Sequence, residues 1–104
     1  MDTPKIITLD FTNCKYLGEM HLRIKNTFGF PEYYGQNWDA FWDLLSEPRY
    51  YTIVEIKGSE TLPDELRPSL EMIIKIMQEK KEKEIKYMKR NPKFDYRFDY
   101  RIID

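Results

Sequence analysis

Tyr50-Tyr51-Thr52-Ile53-Val54-Glu55-Ile56 is β-branched and aromatic, a composition that suits a pleated strand. Its flanks make it decisive, because both read as helix. Downstream, Gly58–Asp64 reads as loop with a possible short turn, and Pro68 opens a long helix, since proline is tolerated in a first turn. Leu70, Ile73, Ile74 and Met77 give that helix a buried face, and Asn91-Pro92 stops it. There follows Phe94-Asp-Tyr-Arg-Phe-Asp-Tyr-Arg-Ile102, with aromatics and isoleucine on even numbers and charges on odd ones, the period of a strand with one apolar and one wet face. Upstream, Trp38, Phe41 and Leu45 form a helical stripe with Trp42 and Leu44 beside it, capped by Asn37 and ended by Pro48. Before that, Leu17, Met20, Ile24 and Phe28 predict a helix that stops at Gly29, and Lys5–Phe11 predicts a first strand. A β-α-α-β-α-β order with helical crossovers predicts an α/β fold: a small three-stranded parallel sheet packed with three to four helices in one layer, its other face partly exposed.

Between Lys80 and Glu84 the long helix has no apolar residue, so this stretch is expected to be solvated on every side. Charge pairs such as Glu79–Lys83 and Glu82–Lys86 would support it, and Ile85 and Met88 could return to the core. The run Lys80–Lys93 has a basic tilt; its interspersed acids read as a solvated face rather than a phosphate site.

The chain has 104 residues, the length of one domain (1–104). Charged residues reach 34%, yet 17 Lys and Arg nearly balance 18 Asp and Glu, leaving a net charge of −1. With a pI near 5.9 this is not a general nucleic-acid coat, and direct nucleic-acid binding is not expected. No apolar run is long enough for a membrane span, and no export signal is visible, which with the single cysteine, Cys14, points to the cytoplasm. One cysteine and one histidine cannot form a thiolate or imidazole zinc cage, and neither phosphate-binding glycine motif is present. No cofactor, metal or catalytic residue is expected.

The most distinctive segment is Pro31-Glu-Tyr-Tyr-Gly-Gln-Asn-Trp-Asp-Ala-Phe-Trp-Asp43. From residue 31 to 56, Glu32, Asp39, Asp43, Glu47 and Glu55 face a single base, Arg49, a local balance of −4. Asp39 and Asp43 are four apart and share a helix face, an arrangement that costs an isolated helix a few tenths of a kcal/mol. No base lies three or four residues from either within this helix, so the counter-charge can come from a partner. The plainer alternative is that Asp39 serves the helix dipole and Asp43 is a solvated surface acid. Trp38 and Phe41 read as core, and Trp42 is open to either reading. His21 reads as a packed, hydrogen-bonded histidine and Cys14 as a small buried or loop residue. A hydrolase using Asp39 and Asp43 is a further alternative, although two acids on one helix face do not flank a cleft.

The run FPEYYGQNWDAFWDLL (residues 30–45) closely resembles the signature of the barstar family, the intracellular inhibitors of barnase-type ribonucleases, and Met20-His21 resembles a leucine-histidine pair in that family's first helix. The resemblance implies a barstar-like fold and a non-enzymatic inhibitor. It would form a 1:1 complex with an extracellular barnase-type ribonuclease and be a monomer when free. By position it implies partner-binding roles for Tyr33, Asn37, Asp39, Trp42, Asp43 and Glu79, with Asp43 standing in for an RNA phosphate. Glu47-Pro48 departs from the family, which carries glycine and tryptophan there. A barstar-fold immunity or binding module for another basic toxin is the alternative this leaves.

Overall fold

The computed structural model of the chain describes residues 5–32, 34–35, 37–45, 52–93 and 98–104. The elements run β1 (Lys5–Asp10), α1 (Leu17–Phe28), α2 (Trp38–Leu45), β2 (Thr52–Lys57), two 3-10 turns (Ser59–Thr61 and Asp64–Leu66), α3 (Arg67–Arg90) and β3 (Phe98–Ile102). The β-α-α-β-α-β order is the expected one. The strands form a three-stranded sheet in the order β1-β2-β3, and both pairings are parallel. The positions expected to end α2 (Pro48), to begin β2 (Tyr50 and Tyr51) and to begin β3 (Phe94–Arg97) lie outside the described residues.

Register fixes which side chains share a face. Leu9 pairs with Ile56 and Ile7 with Val54, while Thr52 and Val54 pair with Phe98 and Tyr100. This face joins Met20 and Ile24 of α1, Phe41 and Leu45 of α2, and Ile73 and Met77 of α3 in one core. At about 1.5–3 kcal/mol for each fully buried large side chain, this shared core is the main stabilising contribution. The opposite face carries Ile6 at 52% exposure, and Arg101 donates to Glu55, its cross-strand neighbour, at 2.6–2.8 Å. It is the wet face that the alternation of the last strand predicts. The apolar side of β3 fades along this edge strand, from buried Phe98 through half-buried Tyr100 to exposed Ile102.

The helix faces differ from expectation at several positions. In α1 the buried residues are Met20, His21, Ile24 and Phe28, whereas Leu17, at the first turn, is exposed. In α3 the buried set is Leu70, Ile73, Ile76, Met77 and Lys80, with Ile74 only partly covered. Lys80 overturns the expectation of a stretch solvated on every side. Its ammonium lies 2.6 Å from the Glu84 carboxylate and 5.6 Å from the Phe98 ring centroid, so β3 covers the stem while the charge keeps a partner. Among the described residues the charge contacts of this stretch are Lys80–Glu84 and Lys81–Asp99, not the two pairs expected. Ile85 does not return to the core; it is exposed, and Met88 is half-buried.

The exits of β1 and β2 are locked together. Gly58 follows β2 with φ 73°, and a Cβ there would lie 2.3–2.7 Å from Thr12 Oγ1, N and Cα. Thr61 Oγ1 donates to the Gly58 carbonyl (2.7 Å) and accepts from the Asn13 N–H (3.0 Å), while the Asp104 carboxylate accepts from the Ser59 N–H and hydroxyl. Both the left-handed backbone and the close approach exclude a side chain at Gly58. Gly58→Ala is expected to cost about 2–3 kcal/mol, read as a lower urea midpoint; an unchanged midpoint would contradict this packing.

Candidate functional site

The site is built from the start of α2 outward. Asn37 Oδ1 accepts from the Ala40 N–H (2.8 Å), its Nδ2 donates to the Gly35 carbonyl (3.1 Å), and its own carbonyl accepts from the Phe41 N–H (3.0 Å). This is the predicted N-cap, and it fixes where α2 begins. The preceding loop turns through Tyr34 N–H to Pro31 O (2.9 Å) and is fastened to α1 by His21. The His21 Nδ1 lies 2.8 Å from the Tyr34 hydroxyl, and its ring centroid is 4.5 Å from that of Trp38. Burial pushes the Tyr34 phenol up to about 12 and lowers the His21 imidazole. His21 is therefore the packed histidine the sequence predicts. Cys14 is fully buried, and burial raises its thiol.

With Phe41, Leu44 and Leu45 turned into the core, α2 leaves Asp39 and Asp43 exposed and Trp42 half-buried. Opposite, α3 supplies Met72, Lys75, Ile76 and Glu79. Together with Asn37, Trp38, Asp39 and Trp42 they line an open groove of about 560 Å³. It has an apolar floor and carboxylates on both helices. The acids of this region divide in an informative way. Glu32 is paired with Lys25 at 2.8 Å and Glu55 with Arg101 at 2.6 Å. Asp39, Asp43 and Glu79 take part in no ion pair among the described residues. Within this region, the acids without an ion pair among the described residues are those on α2 and on the facing turn of α3.

Residues 5–99 match the family model described as Barstar (barnase inhibitor). The chain belongs to the barstar family. Of the six positions that the barstar signature carries over, Asn37, Asp39, Trp42 and Glu79 meet in the one groove. Asp43 stands one turn beyond Asp39 on α2, exposed and outside the groove lining. Tyr33, like Glu47 and Pro48, lies outside the described residues. Lys75 was not foreseen in the groove. Nor was Lys83, whose ammonium sits 5.5 Å from the Trp42 ring centroid instead of pairing with Glu79. Their helical spacing about Glu79 is visible in the sequence, but the α2–α3 juxtaposition that brings them here is not.

Among the described residues no helix is long and apolar enough to cross a membrane. The buried His21 makes stability depend on pH. The folded chain favours its neutral ring, so the unfolded chain binds the extra proton between the ordinary value of 6.5 and the lowered one. The contribution is complete above that window and is lost as pH falls through it. The urea midpoint is expected to be lower at about pH 5.5 than at about pH 7.5, and this difference should shrink in His21→Gln. An equal midpoint at both pH values in the parent would contradict the assignment.

Proposed function

We propose that this protein is a non-enzymatic inhibitor of a barnase-type ribonuclease, acting in the cytoplasm of the cell that makes the enzyme. The observation that carries the proposal is the set of carboxylates on α2 and α3, Asp39, Asp43 and Glu79, which form no ion pair among the described residues while Glu32 and Glu55 are paired. A ribonuclease cleft is shaped to hold RNA phosphates and is correspondingly basic. An acidic helix on a rigid core can enter it without ordering a flexible segment. On this reading Asp43 takes the place of a phosphate, and Asp39 and Glu79 meet flanking cations. Trp42 supplies apolar contact beside them, Asn37 holds the helix start, and Tyr33 contributes from the preceding loop. The complex is 1:1, and the free inhibitor is monomeric.

The hydrolase reading loses support from the placement of the acids, since Asp39 lines the groove and Asp43 does not. The second reading, a barstar-fold immunity module for another basic toxin, draws on Glu47-Pro48, where the family carries glycine and tryptophan. The test is inhibition of a panel of purified barnase-type ribonucleases by the intact chain. At least one should be inhibited stoichiometrically, with an association rate that falls as salt is raised, because opposite charges steer the encounter. A panel without inhibition favours the second reading, and a rate independent of salt contradicts charge-driven docking.

A further inference from the structure

The α3 wall of the groove is not uniformly acidic. Lys75, Glu79 and Lys83 stand one turn apart along it, so charge alternates in sign over about 12 Å of helix. Lys75 and Glu79 line the groove with Asp39, and Lys83 stands over the ring of Trp42, which lines it too. All three α3 residues are exposed. Lys83 has its contact with the Trp42 ring, but neither lysine pairs with Glu79, Asp39 or any other acid among the described residues. Their neighbours Lys80 and Lys81 are both paired, with Glu84 and Asp99. Of the α3 lysines without an ion pair among the described residues, which also include Lys86 and Lys89, Lys75 and Lys83 are the two beside the groove. A surface that had only to fill a basic cleft would bind it better without them, since each ammonium repels the cleft.

We propose that Lys75 and Lys83 are specificity-determining residues, each matched by a carboxylate on the rim of the ribonuclease cleft. The inference rests on the inhibitor reading and narrows the partner. Its rim facing α3 presents an acid, a base and an acid in turn, the central base meeting Glu79. Ribonucleases whose rim is basic throughout are disfavoured by like charge, so the two lysines select among enzymes that share the same basic cleft.

The test uses the ribonuclease of the panel that the intact chain inhibits most strongly. Association and dissociation rates are measured for the parent, Lys75→Gln, Lys83→Gln, the double variant and a control, Lys89→Gln, on the exposed last turn of α3. The double variant is expected to lose at least about tenfold in affinity, chiefly through faster dissociation, and the control to stay within about twofold. Without carboxylates facing the lysines, the same variant is simply more acidic. It would then associate faster and bind as tightly as the parent or tighter, and either result overturns the proposal. Asp39→Ala in the same assay separates the two readings. If it weakens binding while the lysine variants do not, the lysine assignment alone falls. If it leaves binding unchanged, docking through the acidic groove falls and the lysine assignment with it; if no ribonuclease in the panel is inhibited, the inhibitor reading falls and the lysine assignment with it. Urea melts establish that each variant is folded.

Discussion

Asp43→Ala is expected to weaken inhibition of the partner ribonuclease by about 2–5 kcal/mol, roughly 30-fold to several thousand-fold in Kd, chiefly through faster dissociation. Asp43 is exposed and has no ion-pair partner among the described residues, and α2 has no base in its last turn. Asp39, one turn earlier, is stabilised by the N-terminal end of the helix dipole. More of the favourable electrostatics of Asp43 therefore waits for the partner, and Asp43→Ala should cost more affinity than Asp39→Ala. Leaving a cationic cleft desolvated and unpaired is the larger part of that loss. Stability should move by no more than about 0.5 kcal/mol, or rise slightly as the like-charge pair is relieved. If Asp43→Ala unfolds the protein in a urea melt, the aspartate is structural and the site assignment fails.

Phe41→Ala is expected to have the opposite profile, a loss of about 3–5 kcal/mol in stability whether or not a ribonuclease is present. Phe41 is fully buried on the inner face of α2. Its ring stands 5.9 Å from Phe28, 6.2 Å from Phe30 and 6.4 Å from Trp38, centroid to centroid, each in an edge-to-face geometry. Truncation removes one ring from three aromatic contacts at once and leaves a cavity where α1, the 30–35 loop and α2 meet. The same cluster sets the angle at which α2 presents Asp39 and Trp42, so binding should weaken along with stability. A urea midpoint equal to that of the parent would contradict the packing.

What the sequence makes legible here follows from how local the cause is. Asn37 is recognisable as a cap because the bonds it makes reach only from residue 35 to residue 41. Parallel pairing is legible because helices stand between consecutive strands. The acid excess of α2 is legible because no base lies within a turn of Asp39 or Asp43. The burial of Lys80 is not legible, because charge alone does not tell which side of α3 lies beneath β3, and Phe98 is eighteen positions away. Leu17 fits the helical stripe yet stands outside the core at the first turn of α1. The groove itself, with Lys75 in its lining and Lys83 over Trp42, depends on how α2 lies across α3, a tertiary fact that no spacing on either helix encodes.

The central claim is that α2 occupies the place of RNA in a ribonuclease cleft. It is tested most directly by steady-state RNA cleavage, with the protein titrated against the inhibited ribonuclease at several RNA concentrations. If Asp43 and its neighbours stand where phosphates bind, inhibition is competitive: the apparent inhibition constant rises linearly with RNA concentration, and saturating RNA restores full cleavage. An inhibition constant that does not change with RNA concentration would place the protein away from the substrate cleft and contradict the account.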